Sequence, residues 1–235
     1  MIGLDRPVKP EWIYQLLNII KVGTKPSEYN EVFENIAVEL TGKEGKRKVR
    51  TIIYRNFIYS FQKTKTKIEP NIFIELSNKK DLNFLKPIFL AKILFDYDIC
   101  RFVVPKFYLL KNDKNEINLS LISKKMVQEY GDRDVVKRSV RSFIKTLSFF
   151  NYITLKDKSI IILNEPIDIS TDQWSFIIQL YSEFFLKSKF IDIENFHQDL
   201  FFYLNKDSFY ECIKENHGEK WEYIRDHSRN ILIFK

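Results

Sequence analysis

The sequence predicts an α+β fold, mainly α with small β-hairpin wings. The expected architecture is an N-terminal helical bundle, a winged helix-turn-helix and a second unit of winged-helix-like order. Three observations predict it. Apolar residues recur at three- and four-residue spacing along most of the chain, the signature of amphipathic helices. Residues 120–163 run helix, glycine turn, basic helix and hairpin. Residues 166–235 repeat the helix, short strand, helix, helix, hairpin order expected of residues 99–163. The expected division is 1–80, a helical unit with a basic helix; 81–165, the winged helix-turn-helix; and 166–235, an acidic winged-helix-like unit.

Composition permits such cores. Over 235 residues, 45% are hydrophobic and 15% aromatic, which excludes a disordered chain. Six glycines all but exclude Gly-rich phosphate loops. No apolar run is long enough to span a bilayer, and the N-terminus lacks the pattern of a secretion signal. Cys100 and Cys212 lie far apart with no CxxC partner, so reduced, buried thiols in a cytoplasmic setting are expected.

The net charge of +7 is unevenly spread. Residues 43–67 hold nine basic and one acidic residue (+8), and residues 120–163 hold nine and four (+5). Residues 164–235 hold eight basic and thirteen acidic residues, a balance of −5. Two basic islands therefore precede an acidic third.

Pro10 starts the first helix, with Ile13, Leu16, Leu17 and Ile20 inward and Gly23 at its end. Pro26 starts a second, with Tyr29, Val32, Phe33, Ile36, Ala37 and Leu40 inward and Gly42 closing it. A third runs from about Lys46 to Gln62 on Val49, Ile52, Ile53, Phe57 and Phe61. Lys43, Lys46, Arg47 and Arg50 crowd its N-terminal end, with Lys48 and Arg55 nearby. Cations there oppose the helix dipole, an arrangement that a bound phosphate would explain. Residues 63–80 read as a linker with weak regular structure around 71–76.

Asp81 opens a dense apolar helix broken or begun at Pro87, and residues 99–110 form another that Pro105 bends or ends. Residues 117–119 read as a short strand. Ser120 is the expected N-cap of the next helix, which Gly131 stops by entering the left-handed region. Asp132 or Asp134 is the expected cap of the following helix, whose core stripe is Val136, Val140, Phe143, Ile144 and Leu147. Away from that stripe stand Arg133, Lys137, Arg138, Arg141 and Lys145. A merely solvated helix face usually mixes signs; this one does not. Asn151 ends the helix, and residues 152–155 and 160–163 pair around the turn carrying Lys156 and Lys158.

In the last third, Ser170 and Gln173 have capping-box spacing before a helix through Phe184. A strand at 190–193, a helix at 195–204 and a helix capped by Asp207 and closed by Gly218 follow. A hairpin around Asp226, His227, Ser228 and Arg229 completes the unit. Its last helix exposes Glu211, Lys214 and Glu215, which suits protein contact rather than DNA.

No HExxH, P-loop, GxSxG or CxxC pattern occurs, and His197, His217 and His227 lack the spacing of a metal site. A non-enzymatic protein without cofactor is expected, and no small-molecule substrate is evident.

The layout resembles the BrxA family of BREX phage-defence systems. Three stretches carry the likeness: KEGKRKVRTIIYRNF; PIFLAKILFDYDICRFVVPKFYLL; and SLISKKMVQEYGDRDVVKRSVRSFIKTLSFFNYI. Together they fall within residues 43–163. The resemblance implies a small non-enzymatic DNA-binding component working with a methyltransferase and other defence-system proteins. From the residues themselves, the expected partner is double-stranded DNA. The helix face would enter the major groove, and Lys156 and Lys158 would reach the flanking backbone or minor groove. The alternatives are a protein-docking module, whose basic faces meet acidic partners, and a transcriptional regulator.

Overall fold

The computed structural model describes residues 3–226 and 229–235. The chain is mainly helical with two small antiparallel sheets. In the N-terminal part, α1 (Pro10–Ile19), α2 (Asn30–Ile36), α3 (Lys43–Phe57) and α4 (Ile72–Lys79) precede α5 (Leu82–Asp96) and α6 (Asp98–Leu110). Next come β1 (Glu116–Asn118), α7 (Leu119–Tyr130), α8 (Asp134–Phe149), β2 (Ile153–Leu155) and β3 (Ile160–Leu163). The C-terminal part holds α9 (Thr171–Leu180), β4 (Phe190–Asp192), α10 (Phe209–Glu215), β5 (Trp221–Asp226) and β6 (Arg229–Phe234).

The architecture is organised around α5, which packs on α1, α3, α4, α6 and α9. From Leu85 to Phe95 only Lys86 escapes full burial, so this helix is buried on every side rather than striped. Pro87 neither breaks nor begins it. Asp81 caps the start by accepting from the Phe84 amide at 2.8 Å, and the helix runs on through the proline. Pro105 likewise sits inside α6 without ending it. A proline removes one backbone donor, and burial on all sides outweighs that loss.

The two sheets share one topology. In the first, β3 lies between β1 and β2; in the second, β6 lies between β4 and β5. Each is preceded by helix, strand, helical segment and helix in the same chain order. The buried face of the second sheet carries Ile191, Leu232 and Trp221.

Several local expectations are corrected. The second predicted helix is a 3₁₀ turn, Pro26–Tyr29, running into a short α2. The third begins at Lys43 and stops at Phe57, with a 3₁₀ turn at Tyr59–Phe61. Asn118, not Ser120, caps α7, accepting from the Ser120 amide at 2.8 Å. Neither Asp132 nor Asp134 caps α8; the N-cap position is Arg133. Residues 195–204 form only a 3₁₀ turn, Gln198–Phe201, with Leu200, Phe201, Phe202, Tyr203 and Leu204 all buried. Ser208 rather than Asp207 precedes α10. Of the predicted hairpin turn, His227 and Ser228 lie outside the described residues. Cys100 and Cys212 are buried and unpaired with each other. Among the described residues no helix is long and apolar enough to cross a membrane.

Candidate nucleic-acid interface

The sequence of α8 divides its surface into three sectors. Val136, Val140, Phe143, Ile144 and Leu147 enter the core. Ser139, Ser142 and Thr146, at three- and four-residue spacing, form a second buried strip. Against it lies the N-terminal segment. The Val8 amide donates to Thr146 Oγ1 at 3.0 Å, and a Cβ on Gly3 would stand 2.3 Å from Ser139 Oγ. Only a glycine allows the backbone to approach so closely. The remaining sector, Lys137, Arg138, Arg141 and Lys145, faces solvent.

Gly131 stands at φ +80° and turns α7 into α8. Asn151, at φ +58°, ends the corner after α8, its carbonyl accepting from Asn164 Nδ2 at 2.8 Å. These two left-handed positions fix how the solvent sector of α8 is presented.

The cations of that sector are not equivalent. Arg133 turns away, its Nε and Nη2 donating to the Tyr130 carbonyl at 3.1 and 2.8 Å. It thereby satisfies an acceptor left open at the end of α7. Lys137 pairs with Asp132. Arg141 Nε donates to the Lys137 carbonyl at 3.3 Å, and Lys145 Nζ lies 5.6 Å from the Phe149 ring centre. Arg138 has no hydrogen bond or ion pair among the described residues. In the turn between β2 and β3, Asp157 Oδ1 accepts from the Ser159 and Ile160 amides at 2.6 and 2.8 Å. These bonds hold its carboxyl below the usual range. Lys156 bonds to Glu116 of β1, which raises the ammonium and lowers the carboxylate. Lys158 is exposed and left without such a partner among the described residues.

The other basic island is largely answered within the fold. Glu44 in the first turn of α3 accepts from Arg47 Nε and Nη2, both at 2.8 Å, and pairs with Lys48 at 3.5 Å. The Arg47 bonds draw its carboxyl down to about 2. Lys46 Nζ donates to the Glu34 carbonyl at 2.8 Å, at the open end of α2, and Arg50 donates to the Asn30 carbonyl at 3.2 Å. Lys43 and Arg55 are exposed. Lys46, Arg47, Lys48 and Arg50, assigned from sequence to a bound phosphate, thus have acceptors within the fold. α3 packs on α2 and α5, whereas α8 packs on α6, α7 and β2, so the islands rest on different neighbours.

Sequence reasoning passed over Lys124 and Lys125, both exposed on α7. It also missed the N-terminal segment beside α8. The Ser139, Ser142 and Thr146 strip was its signal, because small residues at helical spacing invite close backbone packing. No protein-family model, curated protein or solved structure matches the chain.

Proposed function

We propose that the chain is a non-enzymatic, double-stranded DNA-binding protein of low sequence specificity. Residues 98–163 act as a winged helix-turn-helix, with α8 in the major groove and the β2–β3 turn on flanking backbone. The observation that carries this reading is the solvent sector of α8. Lys137, Arg138, Arg141 and Lys145 lie on it together, and Arg138 has no acceptor among the described residues. The helix offers no Asn or Gln to read adenine, which favours phosphate contact over base readout. The sequence resemblance to the BrxA family supports a place in a phage-defence system, with its other proteins as partners.

The test is fluorescence anisotropy on a short duplex at several salt concentrations. Arg138→Glu with Arg141→Glu lowers affinity and flattens the salt dependence. Unchanged affinity and slope sink the groove assignment.

A second reading, docking onto another protein, draws on one observation. The outer face of the second sheet leaves Phe190 60% and Ile224 47% exposed, beside half-buried Ile231 and Ile233. Sedimentation without DNA separates the readings: association lost in Phe190→Ser supports docking, and a monomer at every salt concentration removes it.

A further inference from the structure

We infer that the apolar space between α4 and α9, with the lysine-lined cleft beside it, is a binding site for a small anionic amphiphile of the fatty-acid class. This inference does not rest on DNA binding. α4 and α9 both pack on α5, and between them lies a chamber of about 200 Å³. Its apolar walls are Ile72, Phe73, Leu76, Ile88, Phe176 and Leu180. An apolar cavity of ~150 Å³ stays dry and takes a molecule the size of benzene. This chamber therefore suits an apolar guest rather than water.

Gln179 and Glu183 line the chamber and also line a second cleft of about 620 Å³, so the two spaces adjoin there. Neither side chain has a hydrogen bond or ion pair among the described residues. The cleft is further lined by Lys187, Lys189, Lys220 and Lys235. Four of the eight basic residues between 164 and 235 thus meet in one place, and Glu183 is the one carboxylate lining it. Within a third of the chain whose balance is −5, the cleft carries +3. Such a local reversal of sign in a concave surface draws an anion.

The fold itself engages these lysines only in part. Lys187 and Lys189 make no hydrogen bond or ion pair among the described residues. Lys220 Nζ donates to Ser175 Oγ at 2.5 Å, which leaves two of its three donors. Lys235 alone of the four meets a carboxylate among the described residues, Glu222 at 3.2 Å. The backbone that presents the rim is irregular. α9 runs into a π-helical turn, Tyr181–Leu186, which carries Glu183, and Lys187 ends it at φ +53°. π-helical turns and left-handed non-glycine residues concentrate at functional sites. An acyl chain in the chamber, with its carboxylate among the lysines, fills both halves at once. A bare anion leaves the chamber empty, and a neutral hydrocarbon leaves the lysines unanswered.

The experiment is isothermal titration of the full chain with octanoate, octanol, octylammonium and acetate. Octanoate binds at one site per chain, octanol and octylammonium bind at least tenfold more weakly, and acetate does not bind. Lys187→Gln with Lys189→Gln, both exposed positions, weakens octanoate at least tenfold and leaves octanol and the melting temperature as they were. Ile72→Phe, with Leu76→Phe as a second filling variant, weakens octanoate and octanol alike. Absence of octanoate binding overturns the inference, as does octanoate binding that survives the lysine double variant. Acetate as tight as octanoate removes the chamber from the site and overturns it too. Octylammonium as tight as octanoate would place Glu183 rather than the lysines at the head group and overturn the assignment to an anion. The Arg138→Glu, Arg141→Glu chain retains octanoate binding. Loss there would move the anion to α8 and overturn the inference, whereas failure of DNA binding alone leaves it standing.

Discussion

The backbone amide of Val8 donates to the hydroxyl of Thr146 at 3.0 Å, and that hydroxyl in turn donates to the Ser142 carbonyl at 2.9 Å. This pair fastens the N-terminal segment to the buried flank of α8, within one turn of Lys145. Segment and basic helix are thereby one packing unit. Thr146→Val keeps the shape and removes the acceptor, leaving a buried N–H unpaired. The expected cost is ~1–3 kcal/mol, read by urea denaturation. Because the solvent sector of α8 is untouched, DNA affinity in the folded variant should match the parent.

Lys92 makes a different kind of prediction. Its side chain is wholly buried, paired with Asp96 at 2.5 Å and set 4.0 Å from the Phe184 ring centre. Burial pushes the lysine down and the aspartate up, each opposed by its partner. Lys92→Met removes the principal cation beside a buried carboxylate and should cost ~3–5 kcal/mol at neutral pH. The sign with pH follows from Asp96. A carboxyl raised above its unfolded value is most favourable in the fold when protonated, and that advantage is lost as pH rises through the folded pKa. The penalty of Lys92→Met should therefore shrink on acidification. Denaturation at pH 7 and near pH 5 checks it, and a penalty that grows on acidification refutes the account.

What the sequence made legible follows from periodicity. Val136, Val140, Phe143, Ile144 and Leu147 are all buried, and Gly131 turns the chain at positive φ, because both follow from local rules. α5 was harder, since a helix buried on every side carries no stripe and its Pro87 reads as a break. Caps shifted by one or two residues, as with Asn118 for Ser120, because neighbouring polar residues compete for the same amides. The site was legible in its charge and not in its pairing. Arg133, Lys46 and Arg50 donate to carbonyls of Tyr130, Glu34 and Asn30, and which carbonyls stand open depends on how helices meet.

Arg133 and Arg138 separate a cation held by the fold from one left open to solvent. Arg133 is held by the Tyr130 carbonyl through two donors, while Arg138 is exposed without an acceptor among the described residues. Arg133→Ala should lower stability by ~0.5–1.5 kcal/mol and leave the salt dependence of DNA binding nearly as it was. Arg138→Ala should do the reverse, reducing the slope of log affinity against log salt by ~0.9 for one lost phosphate contact. Anisotropy across a salt series, run beside denaturation, reads both quantities.

The basic start of α3 gives the last prediction. Glu44 gathers Arg47 and Lys48, and Lys46 closes the Glu34 carbonyl at the end of α2. Cations already engaged in this way have less to offer a phosphate than Arg138 does, because they must first break an existing bond. Arg47→Glu should therefore weaken DNA binding less than Arg138→Glu, with both variants compared at the same salt concentration. Glu44→Gln releases both cations and removes a negative charge, so DNA affinity should rise if the α3 surface lies within reach of the duplex bound at α8. Equal losses in Arg47→Glu and Arg138→Glu would show instead that the Glu44 pairing yields to DNA, making the first turn of α3 a full part of the binding surface.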